Sequence, residues 1–364
     1  MGENRMATNV GPAAVTGDAA GAVDMADLPD GFVPLRIKRV VPETRDAVSI
    51  VLDVPRGSAG QFGYQAGQFL TLLVCVDGHE YRRCYSMSSS PAVDEDLQIT
   101  VKRDRNGVVS NWLNDTAAPG DQLYALSPEG RFVLNDSDRH LVAFAGGSGI
   151  TPVFSLLRTA LASGTRSARL FYANRNRDAV IFDEALESLE RRHADRFARH
   201  RHLDDQNGFA TPADIAAFVD NADDADFYIC GPNEFMDTVR SALSAAGVPT
   251  GRLHIEHFDV NDVAAAAPPD TDVVTDEVTI VLDGSTTTAP YYAGNTLLQT
   301  ARMAGLRAPS SCEIGSCGTC IARLTEGGAR MINNDALDPD EVEDGWVLTC
   351  QALPTTPTVR VVYE

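Results

Sequence analysis

The stretch Cys312-Glu313-Ile314-Gly315-Ser316-Cys317-Gly318-Thr319-Cys320, with Cys350 downstream, limits what this chain can fold into more than any other feature. Three cysteines at C-x4-C-x2-C spacing and a fourth further on fit the plant-type ligand pattern for a [2Fe–2S] cluster. A binuclear cluster needs four thiolates converging from several directions. Three can sit on one tight loop while the fourth comes from a separate segment. Gly315 and Gly318 suit a backbone that must wrap closely, because glycine tolerates conformations that a β-carbon forbids. Ser310, Ser311, Ser316 and Thr319 add small polar groups, and backbone N–H groups there can hydrogen-bond to sulfur and tune the potential. The alternatives are a zinc site or unrelated buried thiols, but zinc sites more often carry paired C-x2-C knuckles. Cys312, Cys317, Cys320 and Cys350 are therefore the expected metal ligands.

With 364 residues the chain is too long for one ordinary core and predicts two or three domains. Its net charge of −21 argues against nonspecific binding to nucleic acid or anionic membrane and is compatible with basic protein partners. No apolar run approaches the roughly 18 to 20 residues of a membrane span. Met1 to Asp30 lacks a basic start and an apolar core, so it reads as a disordered leader and not a signal peptide. A cytoplasmic location is expected. Cys75, Cys84 and Cys230 stand singly, which suits a reducing compartment better than a disulfide framework.

From Phe32 to about Val133 the chain predicts short strands at Leu35–Val41, Val48–Val54, Phe69–Val76, Leu97–Lys102 and Gln122–Leu126, the pattern of a small antiparallel barrel. The character changes at Arg139. An apolar run, Leu141–Ala145, leads into a glycine-rich turn and a helix to Ala162. Strands at Ala168–Tyr172 and Phe227–Cys230 then alternate with helices at Phe182–Arg192 and Glu234–Ala246, which implies a parallel, nucleotide-binding type of sheet. The Ala- and Pro-bearing stretch from Asp259 to Asp276 reads as a linker. Beyond it come a strand at Val278–Leu282, a helix at Thr296–Ala304, the cysteine loop and a closing strand at Val359–Tyr363.

Two further stretches carry chemistry. The turn Gly146-Gly147-Ser148-Gly149-Ile150-Thr151-Pro152 offers backbone N–H groups at a helix start, an anion site for a pyrophosphate, although it lacks the full G-x-G-x-x-G fingerprint and also reads as a structural turn. Arg82-Arg83-Cys84-Tyr85-Ser86 combines cation, ring and hydroxyl. With Val101-Lys102-Arg103 and Gly107-Val108-Val109-Ser110, ahead of a helical pattern at Asn111-Trp112-Leu113, it suits a flavin nucleotide. Ser86 would lie near the ring, Tyr85 and Arg83 near ribityl and phosphate, and Ser110 at a helix start. Taken singly, each has an ordinary reading, such as an Arg–Tyr pair on a sheet surface.

Taken in order with the cysteine loop, these stretches resemble the ferredoxin–NAD(P)+ reductase superfamily. The resemblance is to its oxygenase reductases with a C-terminal plant-type ferredoxin domain, nearest the 3-ketosteroid 9α-hydroxylase reductase group, with the phenylacetyl-CoA epoxidase reductases as a related branch. It rests also on Tyr172-Ala173-Asn174-Arg175, Cys230-Gly231-Pro232, and His254-Ile255-Glu256 with Phe258. It implies a multidomain fold: an antiparallel β-barrel FAD domain over 31–136, a Rossmann-like α/β NAD(P) domain over 137–258, a linker over 259–275, and an α+β β-grasp ferredoxin domain over 276–364.

The resemblance also implies roles. Arg83, Cys84, Tyr85, Ser86, Val101, Lys102, Arg103, Gly107, Val109 and Ser110 would hold FAD, with Ser86 near the reactive N5. Gly146, Gly147, Ser148, Gly149, Thr151 and Pro152 would line the dinucleotide pyrophosphate, and Asn174 and Arg175 would approach its adenosine ribose. Cys230, with Gly231 and Pro232, would sit beside the nicotinamide. Phe258 would cover the flavin, with Glu256 close by. Ser86, Cys230, Glu256 and Phe258 are the expected catalytic set. His257 departs from the aliphatic residue of close relatives and reads as a solvated histidine at a domain edge.

The implied activity is electron transfer from NADH, with NADPH as the alternative donor through Arg175 and Arg177, by way of FAD and the [2Fe–2S] cluster to a terminal oxygenase. That partner would be a Rieske type, or alternatively a di-iron type. A redox-sensing protein is the reading from another class. The chain is expected to be a monomer. Arg191-Arg192-His193 and Arg199-His200-Arg201-His202 are expected at a helix end and an edge strand, not in a metal site. The acidic run from Asp335 to Asp344 reads as a solvated loop or a docking patch for a basic acceptor.

Overall fold

A computed structural model describes residues 31–364 apart from 106, 220–223, 259–274, 314, 316, 335 and 364. The expected leader, and all but the last residue of the expected linker, lie outside the described residues.

The first sheet is antiparallel and has six strands: β1 (Val33–Thr44), β2 (Ala47–Asp53), β3 (Phe69–Val76), β4 (His79–Ser86), β5 (Leu97–Lys102) and β6 (Gln122–Ala125), in the order β4-β3-β6-β1-β2-β5. Its edges meet beyond β4, where Met87 bridges Ile99 and the Ser88 N–H donates to the Gln98 carbonyl at 2.7 Å, so the sheet closes into a barrel. Alternate residues point inward. Leu35 and Ile37, Ile50 and Leu52, Leu70 and Leu72, and Ile99 and Val101 fill one core. Strand β4 is absent from the sequence expectation because it lacks that alternation: Tyr81 to Tyr85 are half-buried on both faces. Helix α1 (Val108–Thr116) runs longer than its expected three residues and starts after Gly107, so Ser110 is its third residue, at the helix start as expected.

The second sheet holds five parallel strands: β7 (His140–Gly146), β8 (Ala168–Asn174), β9 (Phe197–Leu203), β10 (Ala225–Cys230) and β11 (Leu253–Glu256), in the order β11-β10-β7-β8-β9. Both of its faces are covered, and for that reason β7 reads as an unbroken apolar run. Leu141, Ala143 and Ala145 pack with α2 (Ile150–Ser163), while Val142 and Phe144 pack with the core of α5 (Pro212–Val219) and α6 (Asn233–Ala245). Helices α3 (Asp183–Arg192) and α4 (Asp204–Asn207) complete this layer.

The third sheet is mixed, with β12 (Glu277–Leu282) and β18 (Thr358–Val362) parallel at its centre. Around them lie β13 (Ser285–Pro290), β14 (Ile321–Glu326) and β16 (Trp346–Leu348), in the order β13-β12-β18-β14-β16. A small pair, β15 (Ala329–Met331) with β17 (Ala352–Pro354), lies alongside. Helix α7 (Leu297–Met303) buries Leu297, Leu298 and Ala301 on the sheet, giving the β-grasp arrangement. Thr296 caps it by a capping box with Gln299 at 3.2 and 2.9 Å. The acidic run, expected as a loop, contains a short helix, α8 (Pro339–Glu343). Asp338 forms its capping box with Glu341, because Asp at the N-cap followed by Pro and acids is a helix-start sequence. Among the described residues no helix is long and apolar enough to cross a membrane.

Candidate active site

A cleft of about 510 Å³ opens between the barrel and the parallel sheet, lined by Arg83, Cys84, Tyr85 and Ser86 of β4, Lys102 and Arg103 at the end of β5, and Gly107, Val109 and Ser110 at the start of α1. Ser148 and Thr151 reach it from the glycine turn, and Glu256, His257 and Phe258 from the end of β11. Its chemistry fits a flavin nucleotide. The Ser86 hydroxyl is 4% exposed and has no hydrogen-bond partner among the described residues, so it awaits a polar ring edge. Phe258 is 36% exposed although it is a large aromatic, as suits a ring that will stack. Burial keeps the Tyr85 phenol protonated, leaving it a donor. At the β5 end of the cleft, burial and then the Arg175 charge lower the Lys102 pKa, so cations crowd together there.

The second crevice follows from topology. Strand order reverses between β7 and β10, the switch point where α/β sheets bind nucleotides. The two strand ends nearly touch. A β-carbon on Gly149 would lie 2.1 Å from the Cys230 carbonyl oxygen, so no larger residue fits there. Gly146, Gly231 and Pro232 pack at the same junction. The Tyr172 hydroxyl donates to the Gly147 carbonyl at 3.2 Å, and Thr151 to that of Ser148 at 3.0 Å, holding the turn. Cys230 is fully buried and pairs in register with Glu256. Burial, then that carboxylate, keeps its thiol protonated. Asn174 is 4% exposed at the end of β8, beside Tyr172.

The cysteine loop turns between α7 and β14 with Glu313, Gly315 and Gly318 at φ values of 59°, 92° and 74°. A β-carbon on Gly315 would come within 3.0 Å of the Asn333 carbonyl oxygen, so glycine here satisfies both the backbone and the space. The Thr349 N–H and hydroxyl both donate to the Cys320 carbonyl, at 3.1 and 2.9 Å, and tie the fourth cysteine's segment to the third. All four cysteines are free thiols, with Cys317 within hydrogen-bonding reach of Cys312 and Cys320 of Cys350. Two pairs of thiols suit two irons.

Strand β4 joins the two centres. Arg83 and Tyr81 share one side, with the guanidinium 5.5 Å from the Tyr81 ring centroid. Arg82 and Cys84 turn toward the cysteine loop. Arg82 pairs with Glu313, and the Cys84 thiol sits between Thr71, 3.4 Å away, and Cys312. Arg131 donates to the Ala336 carbonyl at 2.8 Å and faces Glu341 at 3.8 Å, and Thr319 reaches Glu129 at 3.4 Å.

Not every expected site residue enters the flavin cleft. Val101 points into the barrel core and its carbonyl is taken by Asn114 at 3.1 Å. Gly146, Gly147, Gly149, Pro152, Asn174, Cys230, Gly231 and Pro232 lie outside it, at the strand ends. Arg175 borders a neighbouring pocket. Ser110 spends its hydroxyl on the Asp104 N–H at 3.1 Å, and Arg103 pairs with Asp115 at 2.6 Å. Phe69, Thr100 and Asp104 line the cleft without having been singled out, because nothing distinguishes them from ordinary strand-end residues. His257 also lines it, with Nδ1 3.4 Å from Asn233, so it is a cleft residue and not only a solvated edge. The Arg/His run is structural. Arg199 and Arg201 pair with Asp183 at 2.9 and 2.6 Å, and His200 and His202 stack on Phe171.

Comparison with known proteins gives the same partition of chemistry. Residues 34–134 match the family described as an oxidoreductase FAD-binding domain, 144–241 an oxidoreductase NAD-binding domain, and 280–355 a 2Fe-2S iron-sulfur cluster binding domain. The ferredoxin reductase component of 3-ketosteroid-9-alpha-monooxygenase from Mycolicibacterium smegmatis is 39% identical over 352 residues, covering 93% of this chain and 100% of the relative. A component of the 1,2-phenylacetyl-CoA epoxidase from Escherichia coli is 31% identical, covering 92% and 98%. The solved structure of phthalate dioxygenase reductase, a modular structure for electron transfer from pyridine nucleotides to [2Fe-2S], superposes with a TM-score of 0.61 at 28% identity, over 92% of this chain and 98% of that one. The chain belongs to the family of oxygenase reductase components that carry an FAD-binding barrel, an NAD-binding α/β domain and a 2Fe-2S domain on one polypeptide.

Proposed function

We propose that this protein is the reductase of a steroid 9α-monooxygenase-like system, taking electrons from NADH and delivering them singly to a separate terminal oxygenase. The observation that carries the reading is the double use of β4, which borders the flavin cleft with Arg83, Tyr85 and Ser86 and meets the cysteine loop with Arg82 and Cys84. Flavin accepts a hydride and releases single electrons, whereas a [2Fe–2S] cluster takes one at a time.

The chain's own residues then have distinct tasks. Ser86 would donate a hydrogen bond at the flavin's N5, and Phe258 would stack on its ring. Arg83, Tyr85, Lys102, Gly107, Val109 and Ser110 hold the ribityl and phosphates. The Gly146–Pro152 turn binds the dinucleotide pyrophosphate, with Asn174 and Arg175 at its ribose. Cys230, neutral beside Glu256, would face the nicotinamide without bringing a second negative charge. Cys312, Cys317, Cys320 and Cys350 hold the cluster. The domains run 31–136, 137–258 and 276–364, joined by the 259–275 linker. A net charge of −21 disfavours nucleic acid as a partner, and we place the protein in the cytoplasm as a monomer. The steroid system is preferred over the epoxidase system because 39% identity exceeds 31% over the same span.

The test is an anaerobic titration with NADH and then NADPH, following absorbance and low-temperature EPR. Flavin bleaching together with a reduced [2Fe–2S] signal is expected. Bleaching with no cluster signal would remove the electron path, and no bleaching by either nucleotide would remove the reading altogether.

A further inference from the structure

Ile50 and Ile99 point into the barrel core, so Ser49 of β2 and Thr100 of β5 point out of it. The two pair in register, and their hydroxyls are 2.8 Å apart. Ser49 donates to the Glu43 carboxylate at 2.6 Å, and the Ser88 hydroxyl lies 2.7 Å from that of Thr100. Ser49 and Ser88 are fully buried and Thr100 nearly so, whereas Glu43 is only half-buried. Glu43 is the residue that the β1–β2 register passes over between Pro42 and Thr44, a bulge of the kind that re-aims a side chain. Its carboxylate also accepts from the Phe182 N–H, at the start of α3 in the parallel-sheet domain.

The chemistry of a hydroxyl fixes the direction of this line. The Gln98 side-chain amide donates to Ser88 at 3.0 Å and to Ser49 at 3.4 Å. Ser49 commits its one proton to Glu43, so Thr100 donates to Ser49 and is left an acceptor on its other side. Thr100 lines the flavin cleft, and Glu43 and Ser49 lie outside it. Ser86, whose buried hydroxyl has no partner among the described residues, stands opposite Thr100, because Met87 bridges Ile99. A hydroxyl ladder that served only the sheet would need no carboxylate at its end.

We propose that Glu43 is the outlet for the proton that each turnover leaves at the flavin. The proposal rests on the function proposed above and deepens it. Hydride transfer brings one hydrogen and two electrons to N5. The electrons depart singly through the cluster, so the hydrogen must depart as a proton, one for each NADH consumed. It enters at Ser86 and Thr100, and each hydroxyl that takes a proton passes its own onward through Ser49. Glu43 becomes the neutral acid and returns the proton to water. Burial raises the Glu43 pKa, opposed by the bonds from Ser49 and Phe182, which suits a carboxylate that must hold a proton briefly.

The experiment mixes anaerobic, NADH-reduced holoenzyme with ferricyanide in a stopped-flow instrument, in water and in heavy water. Flavin absorbance follows reoxidation, and a pH-indicator dye follows proton release. Glu43→Gln keeps an acceptor for Ser49 and Phe182 but carries no proton, and Ser49→Ala removes the middle hydroxyl. In both variants proton release and reoxidation should slow together by roughly tenfold or more, since a positioned acid–base group contributes about 10²-fold or more. The solvent isotope effect should grow, because proton movement has become the slow step. Slowing without a larger isotope effect would mark a packing role and overturn the inference. So would wild-type rates in both variants, or a slowing confined to Glu256→Gln, which would put the outlet at the end of β11. Should Glu43→Gln fail to retain FAD, Ser49→Ala decides alone. Absence of flavin bleaching by either nucleotide would instead sink the proposed function.

Discussion

Arg82 on β4 and Glu313 in the cysteine loop, 231 residues apart in sequence, form an ion pair across the boundary between barrel and ferredoxin sheet. The same carboxylate accepts from Arg302 of α7 at 2.7 and 3.1 Å, and the Glu313 carbonyl accepts from the Gln351 side chain at 2.7 Å. Glu313 lies in the left-handed region at φ 59°, where a non-glycine residue persists only if its surroundings hold it. A glutamate shared by two arginines, one from each side of the boundary, orients the cluster loop and docks it at once.

Glu313→Gln should therefore weaken docking. A charge-assisted hydrogen bond contributes about 1.5–3 kcal/mol, and 1.4 kcal/mol is tenfold, so the docking equilibrium constant should fall by roughly tenfold or more. Stopped-flow absorbance should show flavin reduction by NADH unaffected and cluster reduction slowed. Raising ionic strength should slow cluster reduction in the wild type more than in the variant. Equal rates of cluster reduction in the two proteins would show that the pair does not govern the transfer.

Ser86→Ala tests the other end of β4. The buried, unpartnered hydroxyl leaves a donor vacancy only if the flavin edge faces it. Removing one preorganised donor in a closed site typically lowers rate by about 10²-fold or more, so hydride transfer should fall on that scale with FAD still bound. Retained FAD with an unchanged reduction rate would place N5 elsewhere.

Much of the fold was legible because periodicity reports burial. The strands Phe69–Val76 and Leu97–Lys102 emerge with their observed bounds, and the apolar run at β7 marks a strand covered on both faces. Strand β4 was not legible as a strand. Tyr81 and Tyr85 pack on the barrel core while Arg82 and Cys84 turn to the cysteine loop, so no alternation of buried and exposed residues marks it, and Arg82 to Ser86 were read as chemistry without the strand that carries them. Helix α8 hid in a run of acids, because a capping box and a solvated loop share the same composition. The presence of a 2Fe-2S domain was legible from cysteine spacing alone. The Asp46–Arg175 and Arg82–Glu313 pairs were not, since no local pattern reports which charges meet across sheets.

Gly149→Ala should separate the two nucleotide sites. Its new β-carbon would stand 2.1 and 2.4 Å from the Cys230 carbonyl oxygen and carbon, both backbone atoms that cannot rotate away. Overpacking of this kind costs about 1–3 kcal/mol, and here it pushes apart the strand ends that make the switch-point crevice. NADH binding should weaken at least tenfold, while FAD content and the cluster EPR signal after dithionite stay at wild-type levels. Wild-type NADH affinity would mean that the two strand ends can separate freely.

His254 supplies a pH dependence whose sign follows from its surroundings. The ring stacks on Tyr228 at 4.5 Å, its Nε2 has no partner among the described residues, and burial lowers its pKa below the ordinary 6.5, with Asp226 and Arg166 acting in opposite directions as smaller influences. The folded state thus excludes a proton that the unfolded state accepts, so stability rises with pH across this window. The contribution is complete above the unfolded value and is lost as pH falls below it. His193 and His200 are lowered in the same direction, so the wild-type curve alone does not isolate His254. His254→Phe keeps a stacking ring and removes the titration. Between pH 7.5 and 5.5 the variant's Tm should fall less than the wild type's, with the difference opening below about 6.5, the ordinary histidine value. Parallel curves over that range would show that His254 carries its proton equally well folded and unfolded.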